Sequence, residues 1–468
     1  MQRGAARSSK FNDPSSAIAA RRKTVNRLEG FDRLPDVSAI LAGESAVPIL
    51  ANGNGLMARD RAAHDWYRFV LSFPPHLVRH YIQDFDLQPG DRLMDPFCGT
   101  GTTLVEGKMH GLETIGLEPN PMARFASSVK TAWNCDVAEL QGHSRSIAAN
   151  TRSRLSKRRG RRRGLPAEQA RMLLEGSISP LPLHKTLVLL EEIRTAEDRR
   201  FIGYELLALA KGLTGPIGNL HFGPEVGVGS RKDDADVVSV WCNGMEDVVR
   251  DLLVLTQIGG GTATVLDHDA RSLDEVIEPN SISAVITSPP YPSEKDYTRA
   301  TRLESVILGF IRNRSELRDV KQELIRSNTK NVYKGDSDCK WIAGVPEVEA
   351  LVSMVESSRV ELNKTSGFEK LYSRVAELYF GGMARHLANL RPCLKKGAKL
   401  AYVVGDQASY FRVLIKTGEL LGEIARSLGY TVVRRDLFRL RHSTSTGHKL
   451  REEVLVLRWD GNAVQLRE

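Results

Sequence analysis

Apolar and polar positions become regular from Trp66 onward, and their spacing lays out a succession of elements. "WYRFVLSFPPHLVRHYIQDFDLQPGDRLMDPFCGTGTT" predicts a proline-started amphipathic helix from about Pro75 and a turn at Pro89-Gly90. A short strand from Arg92 to Met94 and a glycine-bearing turn follow. "TTLVEGKMHG" reads as a helix closed by Gly111, and "LETIGLEPNP" as a second strand ending at Glu118. Alternation of this kind builds βαβ units and a parallel sheet.

From about Cys135 to Lys232 the pattern turns mainly helical, and residues 233 to 258 form a further amphipathic helix. A strand ends near Leu266, "SLDEVIEP" gives a helical turn, and the strand "ISAVIT" runs into "SPPYPSEKDYTR". A charged, mostly helical stretch spans about Leu303 to Phe368. The last hundred residues return to α/β: a helix near Tyr372 to Leu390, the strand "GAKLAYVVGD", a helix near Leu414 to Gly429, and the strands "TVVRRDLFRL" and "EEVLVLRW". The polar turn "RHSTSTGHKL" joins the last two, which predicts an antiparallel pair at one edge.

The fold class expected is therefore α/β, a doubly wound Rossmann-like sheet with an antiparallel edge pair and helical insertions. Six segments are expected: a mobile leader at 1–60, the first part of the sheet domain at 61–134 and a helical, Arg-rich insertion at 135–232. The sheet domain resumes at 233–302, a second helical insertion lies at 303–369, and the domain closes at 370–468. No internal repeat occurs.

Composition narrows the partners only modestly. The 468 residues carry 66 Lys+Arg against 57 Asp+Glu, a net charge of +9 that is compatible with an anionic partner without requiring one. The excess is concentrated in "SKRRGRRRG", where Lys157, Arg158, Arg159, Arg161, Arg162 and Arg163 read equally as a solvated loop or a phosphate track. The five cysteines are far apart, form no CxxC pair and show no zinc spacing, so no metal is expected and a reduced intracellular setting is the simplest reading. The basic N-terminus lacks a secretory apolar core, and no run of about 18 apolar residues could span a membrane. The expected location is the cytoplasm.

Two constellations carry chemistry. Asp95-Pro96-Phe97-Cys98-Gly99-Thr100-Gly101 stands between a strand and a helix, where glycines let a ligand approach the backbone. No Lys follows the glycines and the full G-x-G-x-x-G pattern is missing, which argues against a polyphosphate. Asp95 would repel a pyrophosphate but attract an ammonium, and Glu118 ends the next strand where a carboxylate can accept from ribose hydroxyls. An adenosine joined to an amino acid fits these acids better than NAD. Taken singly, the Gly-Thr-Gly turn and Glu118 have bland readings as a loop and a surface acid; the combination after consecutive strands points to a crevice.

Ser288-Pro289-Pro290-Tyr291 follows another predicted strand. Two prolines restrict the turn, Ser288 and the Pro289 carbonyl offer acceptors, and Tyr291 offers a face for a planar ring. The competing reading is a polyproline turn whose ring packs on the fold. Farther on, Tyr297 and Arg299 read as approaches to a nucleic-acid strand, against an internal salt bridge from Arg299 or Arg302 to Asp296 or Glu304 if the segment is helical.

"DPFCGTGTT" together with "TSPPY" resembles the S-adenosylmethionine-dependent amino-methyltransferases of DNA, which make N4-methylcytosine or N6-methyladenine. The resemblance covers about residues 66–130, 233–302 and 370–459. It implies that Asp95, Pro96, Phe97, Cys98, Gly99, Thr100, Gly101 and Thr102 border the methionine part of S-adenosyl-L-methionine, with Phe73 and Pro74 of "SFPPHLV" lining the same pocket. Glu118 and Pro119 would hold ribose, and Asp269 and Ala270 of "HDARSL" the adenine. Ser288, Pro289, Pro290 and Tyr291 would form the catalytic tetrapeptide, acting on a flipped base by direct transfer. Cofactor motif precedes catalytic motif, unlike the members with the opposite order, and the long helical piece after the second strand matches no recognised target domain.

The implied partner is double-stranded DNA, with a cognate restriction endonuclease and the oligomeric state left open. Within that family a serine before Pro-Pro-Tyr is commoner with cytosine N4, which is the favoured target, and adenine N6 is its rival. RNA guanine-N2 methylation and a non-catalytic role in binding nucleic acid also fit a basic chain with these motifs. Carbon-5 methylation would need a cysteine after "ISAVIT", where Ser288 stands, so Cys393 of the only Pro-Cys pair reads as structural.

Overall fold

The computed structural model describes residues 55–68, 72–157, 162–223, 225–293, 295–442, 447 and 449–461. Nearly all of the leader, Arg158, Arg159 and Arg161 of the basic run, and most of the polar turn between the last two strands lie outside them.

Seven strands form the main sheet: β1 (Arg92–Asp95), β2 (Glu113–Leu117), β5 (Thr262–Leu266), β6 (Ile282–Thr287), β7 (Leu394–Gly405), β8 (Thr431–His442) and β9 (Lys449–Arg458). Their spatial order is β5-β2-β1-β6-β7-β9-β8. The first five run parallel, whereas β9 is antiparallel to β7 and β8 to β9, forming the edge pair read from the closing sequence. The chain moves from β1 outward through β2 to β5, then returns to place β6 on the other side of β1. In open sheets such a reversal opens a crevice at the carboxyl ends of the strands. Here that crevice lies between Asp95 and Ser288.

Alternating side chains on each strand feed the two faces. Leu93, Ala284 and Ile286 enter one core with α1 (Pro75–Asp84), which contributes Leu77, Val78, Tyr81 and Ile82. At roughly 1.5–3 kcal/mol for each fully buried large side chain, these contacts fix the helix against the sheet. Met94 and Val285 point to the opposite core, where Tyr379, Phe380 and Met383 of a helix at Tyr372–Leu390 cover them. Two further helices connect the first strands and flank the site: α2 (Thr102–Met109), between β1 and β2, and α3 (Pro121–Lys130), after β2.

Residues 135–232, expected to be mainly helical, hold the helices Val137–Lys157, Ala167–Ala170, Pro180–Thr195 and Ile202–Gly212. They also carry a separate antiparallel hairpin of β3 (Leu220–Phe222) and β4 (Val226–Val228). Helix Val237–Ile258 packs with them in a third core that includes Trp66, Trp133 and Trp241. No helix among the described residues is long and apolar enough to cross a membrane.

Candidate active site

Both constellations open onto one cavity of about 290 Å³. Its lining includes Phe73, Pro96, Phe97, Cys98, Gly99, Thr100, Thr102, Glu118, Pro119, Asp269 and Ala270 from the cofactor reading, Ser288, Pro289, Pro290 and Tyr291 from the catalytic one, and Tyr297 from the nucleic-acid one. Pro74, Asp95 and Gly101 stand behind the wall. Pro74 caps α1 from a buried position, with Ser72 lining the cavity beside Phe73. Gly101 has φ +84°, and a Cβ there would lie 2.4 Å from Ser127 Oγ, so the turn needs glycine for both conformation and space.

Asp95 is fully buried under the crevice. Its Oδ1 accepts from Phe97 N at 3.1 Å and Thr287 Oγ1 at 2.5 Å, while Oδ2 has no partner. Burial raises its pKa to about 6, against the opposing effect of these hydrogen bonds. A buried, incompletely satisfied carboxylate beside a glycine turn suits a cationic group such as an amino-acid ammonium.

Glu118 accepts from Gly99 N at 3.0 Å and Asn120 N at 2.8 Å, which ties the end of β2 to the glycine turn. Burial again outweighs the backbone donors and pushes its pKa to about 7. Both oxygens keep lone pairs, as a ribose clamp requires. Lys130, at the end of α3, supports the turn from behind: its buried Nζ donates to Thr100 O at 2.7 Å and Tyr67 O at 3.2 Å. Cys98 is buried beside Ser127, and burial raises its thiol pKa, so it packs the turn as an unreactive thiol.

Asp269 lines the cavity with its carboxylate already engaged by Arg271, whose Nε and Nη2 donate at 2.6–3.0 Å. Arg271 also donates to Asp338 at 2.6 Å and to Gln322 O at 2.7 Å. The strand-exit motif is thereby bolted to the segment 303–369, and Glu323, Leu324, Ile325, Ser327, Asn328 and Asn331 of that segment form a cavity wall. Asn331 is almost fully buried and its Oδ1 has no partner. His386 fixes the same end from below. Its Nδ1 contacts Ala270 O at 2.8 Å, which requires that nitrogen to donate, so Nε2 accepts from Tyr402 Oη at 2.7 Å. Burial holds its pKa down at about 4, and its ring meets Phe97 edge-on at 4.9 Å.

On the catalytic side, Ser288 Oγ donates to Val403 O at 3.3 Å. Its one proton is thus committed and its lone pairs remain for an incoming donor. Tyr291 N donates to Tyr297 Oη at 3.0 Å, and Tyr291 Oη donates to Glu452 Oε1 at 3.0 Å. Glu452 is held in turn by Arg439 Nε at 2.5 Å. Tyr297 therefore braces the proline turn. Arg299 lies on the helical turn Tyr297–Ala300, off the cavity lining, with Nε buried and unpartnered. Asp296 pairs with Lys321 at 2.7 Å and Arg302 at 3.8 Å, while Glu304 accepts from Tyr67. Of the basic run, Lys157 and Arg162 are exposed and Arg163 pairs with Glu191.

The sheet order, with the glycine turn at its reversal and the acid ending the neighbouring strand, is that of a Rossmann-like methyltransferase fold. Comparison with known proteins makes this specific. The UPF0020 (RMKL-like) methyltransferase domain family matches residues 75–155. The chain is 24% identical over 424 residues to the Type II methyltransferase M.BsoBI of Geobacillus stearothermophilus, covering 83% of this chain and 82% of the relative. It is 21% identical over 396 residues to the Type II methyltransferase M.AvaI of a Nostoc species, covering 80% of each. A shorter stretch of 70 residues is 37% identical to the Type II methyltransferase M.MvaI of Kocuria varians, covering 14% of this chain and 15% of the relative. These matches support an S-adenosylmethionine-dependent DNA methyltransferase family for the chain, consistent with S-adenosylmethionine as the cofactor.

Proposed function

We propose that the protein is a site-specific DNA methyltransferase acting on the exocyclic N4 amine of cytosine in a flipped nucleotide. The observation that carries this reading is the single cavity shared by the cofactor turn and Ser288-Pro289-Pro290-Tyr291 at the reversal of the sheet. Adenine N6 is the second reading, supported by the same acceptors and stacking face.

Asp95, Glu118 and Asp269 suit the ammonium, ribose and adenine amine of S-adenosylmethionine, respectively, and Phe73 and Phe97 wall the intervening space. When bound, the cofactor supplies an electrophilic methyl group. A target base leaves the duplex at a cost of a few kcal/mol and stacks on Tyr291. Ser288 Oγ and the Pro289 carbonyl accept the amine hydrogens, orienting the nitrogen lone pair toward the cofactor side and stabilising positive charge as it develops. Once methylated, the amine releases one proton to solvent. The second helical segment, residues 303–369, is proposed to carry target recognition because its 321–331 stretch walls the cavity; residues 61–134, 233–302 and 370–468 form the methyltransferase domain around the 135–232 insertion.

Ser288→Ala tests the division of labour: methyl transfer to DNA should fall at least tenfold while the Kd for S-adenosylmethionine stays unchanged. Loss of cofactor binding in this variant would overturn it.

A further inference from the structure

Among the described residues, four cationic side chains line the cavity: Lys295, Lys321, Arg439 and Arg441. Two are neutralised, Lys321 by Asp296 at 2.7 Å and Arg439 by Glu452 at 2.5 Å. Lys295 and Arg441 have no carboxylate partner among the described residues. Arg441 donates from Nη2 to the main-chain carbonyl of Asp406, and its Nε is buried without an acceptor. Lys295 is held by its main chain, whose carbonyl accepts from Asn328 Nδ2 at 3.1 Å and Ser327 Oγ at 3.4 Å.

The two cations lie within electrostatic range of each other. Burial, then Arg441, holds the Lys295 ammonium below its ordinary pKa, with Glu225 and Glu452 opposing from a distance. Two mutually repelling cations with uncommitted donors on a cavity wall form a site for an anion. Their position indicates which one. Lys295 follows Tyr291 by four residues, and Arg441 converges with Tyr291 on Gly405: a Cβ at Gly405 would lie 3.0 Å from the tyrosine ring and 3.4 Å from Arg441 Nη2. This is the part of the cavity walled by Tyr291.

We infer that Lys295 and Arg441 form a phosphate clamp that holds the phosphodiester flanking the flipped target nucleotide. The inference rests on the proposed reading of the target as DNA. A backbone phosphate is the anion that accompanies a base stacked on Tyr291, and such contacts fix register without reading sequence.

The test measures binding of the full chain to a random-sequence duplex DNA pool over a range of salt, with the S-adenosylmethionine Kd measured in parallel. Lys295→Met and Arg441→Met should each weaken binding uniformly across the pool and lower the slope of log K against log salt by about 1. The charge-keeping variants Lys295→Arg and Arg441→Lys should restore much of the slope, and the cofactor Kd should not change. A wild-type slope in both methionine variants overturns the clamp while leaving DNA methylation standing. A lost cofactor affinity with intact DNA binding reassigns the site to the cofactor's carboxylate, and absence of DNA binding by the wild-type chain overturns clamp and target class together.

Discussion

Thr287 donates its hydroxyl to the carboxylate of Asp95 at 2.5 Å, joining the last residue of β6 to the last residue of β1. One hydrogen bond thus links the residue preceding the proposed catalytic turn to the acid beneath the proposed cofactor turn. Thr287→Val keeps the shape and removes the donor. Leaving a buried acceptor short of a partner costs about 1–3 kcal/mol, and Asp95 becomes harder to ionise. The expected outcome is a lower thermal midpoint and weaker S-adenosylmethionine binding, read by thermal unfolding and equilibrium dialysis. An unchanged cofactor Kd would show that the bond is only structural.

Cofactor affinity should rise with pH through the range in which the two buried acids ionise. Asp95 and Glu118 have pKa values raised to about 6 and about 7, above their ordinary values, so the fold without cofactor holds protons that the unfolded chain has released. Their contribution to stability therefore falls as pH rises from the carboxylate range toward 7. An ammonium near Asp95 and ribose hydroxyls at Glu118 favour the ionised forms, so binding releases protons. Calorimetric titration in buffers of different ionisation enthalpy checks this; affinity independent of pH between about 5 and 7 would contradict it.

The ring of Tyr291 is expected to matter more than its hydroxyl. Tyr291→Phe preserves the face and loses only the tether to Glu452, so most methyl transfer should remain. Tyr291→Ala should lose about 1–3 kcal/mol of base stacking, roughly five- to a hundred-and-fiftyfold in DNA affinity or rate, with cofactor binding intact. Steady-state kinetics with both variants separates the two; equal loss in both would mean that the hydroxyl, not the face, carries the role.

Gly101→Ala places a methyl group 2.4 Å from Ser127 Oγ in a backbone with φ +84°. The left-handed conformation alone costs roughly 1–2 kcal/mol for an L-residue. Lower stability and weaker cofactor binding are expected together, measured by denaturant unfolding and dialysis. Wild-type values in both would show that the turn relaxes freely.

The sheet and both motifs were legible because each combines a local strand pattern with turn residues that have few conformations: "RLMD" before a glycine turn, "ISAVIT" before two prolines. The edge pair was legible from two long alternating strands and the polar turn between them. The β3–β4 hairpin was not, since its strands are three residues each within a helical stretch. His386 gave no signal either: a single histidine in an apolar helix acquires its role only when tertiary packing brings Ala270 and Tyr402 to its two nitrogens. Lys295 and Arg441 come from distant parts of the chain, and charge clustering in sequence drew attention to Lys157–Arg163 instead. For Asp296 the internal salt bridge is the arrangement realised, as its pairing with Arg302 and Lys321 shows.

Nucleoside analysis tests the central claim most directly. Purified protein is incubated with isotopically labelled S-adenosylmethionine and, separately, DNA and RNA pools, which are then digested to nucleosides and resolved by mass spectrometry. Labelled N4-methyldeoxycytidine from DNA is the expected product, absent with Ser288→Ala. N6-methyldeoxyadenosine would keep the DNA methyltransferase and change its base, whereas label confined to N2-methylguanosine in RNA, or no labelled nucleoside, would contradict the account.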